Sequence, residues 1–207
     1  MSKTLIKNAK IVNEGQIIES DLLIVSGRIE KIAPSISATN EVVIDAKGKY
    51  LLPGAIDDQV HFRDPGLTYK ADIYTESRAA VAGGITSFME MPNTVPNALT
   101  QELLEDKYQL GAQKAIANYS FYMGASNENI EEVLKTDKEK VCGVKVFMGS
   151  STGNMLVDSE KTLTNIFSNV DHLIATHCED EATIRKNTAL FREKYGDDMA
   201  IKYHPQI

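Results

Sequence analysis

The sequence contains few cysteines, no run of basic residues and no long apolar stretch. Its two cysteines, Cys142 and Cys178, lie far apart and form no Cys-x-x-Cys motif, which favours a reducing, cytoplasmic compartment. No stretch has the apolar length needed to cross a bilayer, and residues 1–10 lack the apolar region of a signal peptide. The net charge of −7 makes nucleic acids and anionic membrane surfaces unexpected partners.

The remaining composition is typical of a globular protein. Of the 207 residues, 43% are hydrophobic and 25% are charged, which is enough for a sizeable core. No repeat or low-complexity tract interrupts the sequence. Its length predicts one domain, or one domain with a small appendage.

Residues 1–52 have the pattern of a small β unit. Short runs of apolar and β-branched residues alternate with glycine-containing turns such as Ser26-Gly27 and Lys47-Gly48. A strand, a glycine turn and another strand in succession are typical of hairpins. The predicted strands cover residues 6–12, 20–25, 28–32 and 41–45. We therefore predict a small antiparallel β unit at the start of the chain.

From residue 53 onward, strand-like runs alternate with helical patterns. The predicted strands cover residues 55–60, 85–91, 118–123, 142–148 and 173–177, and a loop is expected at residues 149–153. The predicted helices cover residues 72–82, 101–116, 126–135, 158–167 and 180–195. Five strand-then-helix units in succession predict an α/β fold with a parallel sheet and crossover helices. A (β/α)8 barrel needs eight strands, so the pattern fits either an open doubly wound sheet or part of a TIM-type barrel.

The segment at residues 51–66 holds the most informative cluster of polar residues. A strand-like run lies there between two turn signals rich in proline and glycine. Gln59, His61 and Arg63 are spaced two apart, and residues two apart on a strand share a face. We therefore predict that they point to one side at the carboxyl end of the strand, where α/β folds place their chemistry.

Three further polar residues stand at or near the carboxyl ends of later strands. Asn93 follows the second strand, Lys145 lies within the fourth, and His177 ends the fifth. Taken singly, each has an ordinary structural explanation: a turn residue, a lysine extended along an edge strand, or a surface histidine. Because the ends of parallel strands converge on one face, four strands that each supply a polar group favour a shared site. Cys178 alternates to the face opposite His177, which predicts a place in the core.

Residues 61–66, His-Phe-Arg-Asp-Pro-Gly, resemble the metal-site signature of the cyclic amidohydrolases, and of the dihydroorotases in particular. In that family the first barrel strand ends in His-x-His, and here Gln59 stands in place of the first histidine. The resemblance implies that His61, Lys145 and His177 are metal ligands. It also implies that the metal is zinc and that Lys145 is carbamylated as a bridging ligand, a donor set that suits zinc.

The same resemblance implies substrate-binding residues and a reaction. Arg63 and Asn93 match the residues that hold the α-carboxylate of the substrate. The implied reaction is the reversible zinc-dependent hydrolysis of L-dihydroorotate to N-carbamoyl-L-aspartate in pyrimidine synthesis. An allantoinase or hydantoinase is the alternative enzyme, and residues 62–66 weigh against a hydantoinase. A non-catalytic dihydroorotase-like scaffold is a third hypothesis, which Gln59 favours.

The resemblance also implies that the sequence corresponds to about the first half of a family member. Residues 1–52 would be the N-terminal part of a composite β-sandwich domain, and residues 53–207 the first five units of an incomplete (β/α)8 barrel. A further histidine ligand and the aspartate base are expected beyond Ile207, so the 207-residue chain alone is expected to be inactive. The full-length protein is expected to be a homo-oligomer that acts on a small molecule with one or two zinc ions.

Overall fold

The computed structural model describes residues 2–149 and 153–207, so most of the loop expected at residues 149–153 lies outside the described residues. The chain divides into two compact units, Met1–Gly54 and Ala55–Ile207. No helix in the described ranges combines the length and the apolar character needed to span a membrane.

Among the residues described, the first unit forms a five-stranded mixed sheet. Its strands are β1 (Lys3–Asn13), β2 (Gln16–Val25), β3 (Arg28–Ala33), β4 (Val42–Asp45) and β5 (Tyr50–Leu51). They are ordered β3-β2-β1-β4, and β5 also pairs with β1. The hairpins turn at Glu14-Gly15 and Ser26-Gly27, where φ is 49° and 74°, and 51° and 78°. Two successive residues with positive φ match the twist of the flanking strands.

The prediction of a purely antiparallel β unit is wrong for β4 and β5. Both strands run parallel to β1, with Thr4 opposite Val42 and Lys10 opposite Tyr50. The connection at residues 34–41 is long enough to carry the chain back across the sheet before β4 begins, whereas a short hairpin turn would have reversed the strand direction. Ala9, Ile11 and Leu22 form a buried hydrophobic cluster in this unit, and Leu5 is also buried.

The second unit alternates strands and helices, as the sequence predicts. Its strands are β6 (Ala55–Val60), β7 (Ile85–Glu90), β8 (Asn118–Phe121), β9 (Met123–Gly124), β10 (Val144–Phe147) and β11 (Ile174–His177). Its helices are α1 (Ile73–Ala82), α2 (Gln101–Lys114), α3 (Ile130–Leu134), α4 (Glu160–Asn169) and α5 (Glu181–Tyr195), followed by a 3-10 helix (Ile201–Gln206). The α/β fold class is therefore confirmed.

The described strands of the second unit form two parallel sheets, ordered β6-β7-β8 and β9-β10-β11. Only Tyr122 separates β8 from β9, and the chain changes neighbours there. Tyr122 N donates to Glu90 O at 3.0 Å, and Met123 N donates to Gly143 O at 3.0 Å. The strand predicted at residues 118–123 is therefore split in two. Within each sheet the strands follow their order in sequence, unlike the reversing order of a doubly wound sheet.

Side-chain caps set where the helices begin. Asp72 accepts a hydrogen bond from Thr75 N at the start of α1, and the Thr75 side chain bonds back to the Asp72 backbone. Thr100, Ser159 and Asp180 cap α2, α4 and α5 through their side-chain oxygens. Such caps satisfy N–H groups that have no partner within the helix. They fix where the loops before α1, α2, α4 and α5 end, whereas α3 begins without a side-chain cap, and the first two of these loops carry candidate polar residues.

The core of the second unit is formed largely by its strands. Phe88, Phe121, Met123, Val144 and Val146 are each at most 1% exposed. A core of this kind is closely packed and resists local movement. It provides a rigid base for the residues at the carboxyl ends of the strands.

Candidate active site at the carboxyl ends of the parallel strands

His61 follows β6 and Asn93 follows β7, and their side chains are in direct contact. His61 Nδ1 lies 2.8 Å from Asn93 Oδ1. Because an amide oxygen only accepts hydrogen bonds, the imidazole donates from Nδ1 and keeps its lone pair on Nε2. The contact therefore holds His61 in the form that can bind a metal through Nε2.

Three other predicted site residues lie close enough to His61 to act on its charge. Burial lowers the pKa of His61 below its usual 6.5, and the charge of Arg63 lowers it further. The hydrogen bond with Asn93 raises this pKa, while Lys145 and His177 lower it. The structure thus brings together five residues from four strands and the turns that follow them. The net effect keeps His61 neutral at pH 7, as a metal ligand must be.

We expect His61 in the metal-free chain to titrate below pH 6.5. Replacing Lys145 with methionine removes a nearby positive charge and should raise the pKa of His61, because the protonated imidazole then meets less repulsion. The titration can be followed by NMR through the imidazole C–H resonances, assigned with a His61→Gln variant. Lys140→Met is the control, since the Lys140 side chain is 80% exposed and pairs with Asp137. A His61 midpoint that is the same in the wild type and in Lys145→Met would contradict this electrostatic assignment.

Lys145 is buried in the middle of β10. Lys145 is only 2% exposed, and its neighbours Val144 and Val146 are fully buried. Its Nζ lies 4.8 Å from the centroid of the Phe147 ring. No carboxylate within residues 2–149 and 153–207 forms an ion pair with it, and burial lowers its pKa. A buried lysine of this kind, next to other titratable groups, is a candidate functional residue.

His177 ends β11 beside Phe147. The two residues are opposite each other in the strand register, and their ring centroids are 5.4 Å apart. His177 Nδ1 is buried and lacks a hydrogen-bond partner in the described part of the chain. Leaving a buried ring nitrogen without a partner is unfavourable. A bound cation would satisfy it, so this observation fits a metal site.

The candidate ligands are two imidazoles and one lysine amine. Among the residues that the structure describes, no group of three or more histidine, cysteine, aspartate or glutamate side chains could hold a metal ion. Imidazole nitrogen suits zinc, but two imidazoles leave a four-coordinate ion incomplete. The chemistry of Lys145 therefore decides whether this cluster binds metal.

The predicted alternation of Gln59, His61 and Arg63 on one strand face is wrong. β6 ends at Val60, and Arg63 has φ of 68°, which lies in the left-handed region. Alternation holds only in extended backbone. Gln59 is exposed, and its backbone N–H donates to Asp57 Oδ1 at 3.2 Å. Arg63 still acts electrostatically on His61 because the turn, and not the strand, directs it there.

Cys178 is exposed, so the prediction that it lies in the core is also wrong. The reason is again a strand end, because β11 stops at His177 and the next residue no longer alternates.

Two charged residues beneath the site escaped the sequence analysis. Glu90 ends β7 and Lys107 lies on α2, and each is 1% exposed. Glu90 Oε2 lies 2.7 Å from Lys107 Nζ. The available signal was Glu90 at the end of an apolar strand-like run, immediately before the Met91-Pro92-Asn93 turn. The sequence pattern predicts that a single charged residue in such a run is exposed, because its partner on another element is not known.

The fold and this cluster define an α/β protein with a polar site at the carboxyl ends of its parallel strands. The model of the dihydro-orotase-like family matches residues 48–197. The chain belongs to the dihydroorotase-like family of amidohydrolases.

Curated relatives named dihydroorotase are similar along most of the chain. The one from Methanosarcina mazei is 33% identical over 207 residues, covering 98% of this chain and 44% of the relative. Those from Bacillus cereus and Enterococcus faecalis are 35% and 36% identical, covering 93% and 88% of this chain. The matched regions span 46% and 43% of the length of these two relatives. The chain thus spans less than half the length of these relatives.

Solved structures with the same fold include an L-hydantoinase (dihydropyrimidinase) from Arthrobacter aurescens. It has a TM-score of 0.87 and 28% identity, covering 96% of this chain and 45% of that chain. A dihydropyrimidinase from Brevibacillus agri has a TM-score of 0.75 and 26% identity, covering 95% and 44%. The likeness in fold therefore extends over nearly all of this chain.

Proposed function

We propose that the full-length protein is a dihydroorotase. It would hydrolyse the cyclic amide of L-dihydroorotate reversibly to N-carbamoyl-L-aspartate, in a zinc-dependent step of pyrimidine synthesis. The observation that carries the proposal is the cluster around His61, where Asn93 bonds the imidazole and Arg63, Lys145 and His177 act on its charge. Imidazole ligands, a buried lysine and a guanidinium for a carboxylate are the groups that this reaction needs.

The proposal includes a barrel architecture. We place residues 53–207 in the first part of a (β/α)8 barrel and residues 1–52 in part of a β-sandwich domain. The sequential, parallel order of the strands supports this placement, as does the single-residue step at Tyr122 between the two sheets. In such barrels the residues that follow the strands form the active site.

His61, Lys145 and His177 would hold the zinc. When bound, zinc supplies a Lewis acid that polarises a carbonyl and lowers the pKa of water. His61 would bind through Nε2, because Nδ1 donates to Asn93. With Gln59 in place of a histidine, the site has one imidazole fewer than the family pattern, so one tightly held ion or a weakened pair is the expected occupancy.

Lys145 would become a ligand by reaction with carbon dioxide. Burial lowers its pKa, which makes the neutral amine more accessible. The neutral Nζ forms a bond to the carbon of carbon dioxide, an electron pair moves onto an oxygen, and one proton leaves to solvent. The resulting carbamate carries a negative charge on two oxygens where the lysine carried a positive charge. Such oxygens suit zinc and can bridge two ions.

Arg63 and Asn93 would bind the α-carboxylate of the substrate. A guanidinium can hold a carboxylate through two parallel hydrogen bonds. Asn93 uses its oxygen for His61 and keeps its N–H groups available to donate. In the hydrolysis, water adds to the ring carbonyl, the ring C–N bond breaks and the nitrogen gains a proton. We assign this proton transfer to an aspartate in the part of the relatives that the chain does not span.

We also propose a cytoplasmic, homo-oligomeric enzyme. The cysteines in the described part of the chain, Cys142 and Cys178, are free thiols, which fits a reducing compartment. A size measurement by light scattering on the full-length protein tests the oligomeric state.

A hydantoinase (dihydropyrimidinase) function is the second candidate. The TM-score of 0.87 to the L-hydantoinase from Arthrobacter aurescens favours it. The two functions differ in one substrate group, because 5,6-dihydrouracil is dihydroorotate without its carboxylate. Arg63 therefore decides between them.

The experiment compares both substrates in the full-length protein. We expect hydrolysis of dihydroorotate that is lost on chelation and restored by zinc. We expect kcat/KM for dihydrouracil to be at least about a hundredfold lower, because a site built to pair a substrate group rejects an analogue that lacks it. Preference for dihydrouracil would establish the second candidate. If neither substrate reacts with zinc present, the non-catalytic scaffold remains.

A further inference from the structure

Glu90 and Lys107 form a buried ion pair directly below the candidate site. Glu90 is the last residue of β7, and Lys107 lies in the middle of α2. Glu90 Oε2 is 2.7 Å from Lys107 Nζ, and both side chains are 1% exposed. Buried charges are seldom kept unless they are paired, so the contacts of this pair show what it holds in place.

The carboxylate of Glu90 faces two successive backbone N–H groups and accepts a hydrogen bond from the first of them. Phe62 N donates to Glu90 Oε1 at 3.1 Å, and the N–H of Arg63 lies near enough to the same carboxylate to act on its pKa, which burial raises and these N–H groups lower. Arg63 has φ of 68°. A turn in which successive N–H groups converge, with a residue in the left-handed conformation, forms a concave site for an anion. Glu90 fills this site from within the protein and stabilises a backbone conformation that arginine rarely adopts.

Lys107 extends the same network to the neighbouring loop. Its Nζ donates to Met91 O at 3.0 Å, two residues before Asn93. The pair therefore ties the turn that carries Arg63 to the turn that carries Asn93. These are the two residues that the proposed function assigns to the substrate carboxylate.

We propose that Glu90 is a positioning residue for substrate binding: its carboxylate holds the Phe62 N–H and thereby the left-handed turn at Arg63, so that the Arg63 guanidinium meets the substrate carboxylate beside Asn93. Lys107 balances the charge of Glu90 in this buried position. This inference rests on the proposed function. It predicts that the hydrogen-bond acceptor at position 90, and not the charge of the ion pair, governs substrate affinity.

Two double variants separate the acceptor from the charge. Glu90→Gln with Lys107→Met removes both charges and keeps an oxygen that accepts from the Phe62 N–H. Glu90→Met with Lys107→Met removes the same charges and also the acceptor, at similar volume. Changing both partners together avoids leaving one buried charge unpaired, which could unfold the protein. Thermal unfolding of both variants provides the check on stability.

We expect the glutamine variant to keep KM for dihydroorotate within about threefold of the wild type. The methionine variant should raise KM at least tenfold while kcat changes less, because lost carboxylate binding weakens substrate and transition state together. Hydrogen–deuterium exchange in peptides that cover residues 60–66 should be faster in the methionine variant alone. Rescue by glutamine and a selective change in KM are not expected from a role in folding stability.

The inference is overturned if the two variants show the same KM, or if exchange in residues 60–66 is the same in both. A large loss of stability shared by both variants, with equal KM for the folded enzyme, would leave only a structural role for the pair. If the wild-type protein does not hydrolyse dihydroorotate, the proposed function fails, and the exchange difference alone then decides whether Glu90 holds the Arg63 turn.

Discussion

Replacing Lys145 with methionine is expected to abolish zinc retention by the full-length protein and to leave it folded. The substitution removes the amine that would become the bridging carbamate, so the ligand set falls to two imidazoles within this chain. Methionine has a similar volume to lysine and carries no charge. Since Lys145 is 2% exposed and has no ion-pair partner in the described residues, an uncharged side chain there should not destabilise the metal-free fold.

The measurement is the zinc content per chain after dialysis, together with the thermal midpoint of the metal-free protein. Lys140→Met is the matched control because Lys140 is exposed and pairs with Asp137 at 3.1 Å. If Lys145→Met retains as much zinc as the wild type, the carbamate assignment is wrong. In the wild type, one ion per chain would agree with the loss of an imidazole at Gln59, whereas two tightly held ions would show that glutamine does not limit occupancy.

Replacing Arg63 with alanine is expected to raise KM for dihydroorotate about a hundredfold and to leave the poor turnover of dihydrouracil unchanged. The guanidinium would form two charge-assisted hydrogen bonds with the substrate carboxylate, each worth about 1.5–3 kcal/mol. Loss of about 3 kcal/mol of binding corresponds to about a hundredfold in affinity. Dihydrouracil has no carboxylate, so Arg63 contributes nothing specific to its binding.

Arg78→Ala is the control for Arg63→Ala. Arg78 is an exposed residue on α1 that lies over the Tyr74 ring at 5.4 Å, so its loss should leave both substrates unaffected. KM for dihydroorotate in Arg63→Lys should lie between the values for the wild type and Arg63→Ala, because lysine keeps the charge and lacks the planar guanidinium. If Arg63→Ala raises KM equally for both substrates, the arginine supports the fold of the turn and does not bind the carboxylate.

Local sequence signals predicted most of the elements. Glycine turns, capping residues and apolar runs indicated the strands and helices of the second unit, and the structure places them there within a few residues. The same signals selected His61, Asn93, Lys145 and His177, because each stands at or near the end of a strand. Neighbouring ends of parallel strands meet on one edge, so a correct element order was sufficient to group these residues.

Features that depend on contacts between distant segments were not predictable in this way. The direction of β4 depends on how residues 34–41 cross the sheet, and the break at Tyr122 depends on which neighbour pairs with each half of the strand. The alternation rule failed at Arg63 because the turn there adopts a left-handed backbone. Tertiary hydrogen bonds determine each of these features.

The sequence by itself determined the alternation of elements and the residue types that reach the carboxyl ends of the strands, because both follow from local periodicity and turn chemistry. The tertiary structure decided how Arg63 is held and which charges are buried. Glu90 and Lys107 lie 17 positions apart in sequence, on a strand and a helix, and neither reveals its partner there. Only packing brings them to 2.7 Å, where mutual attraction and the Phe62 N–H bond make burial of both charges tolerable.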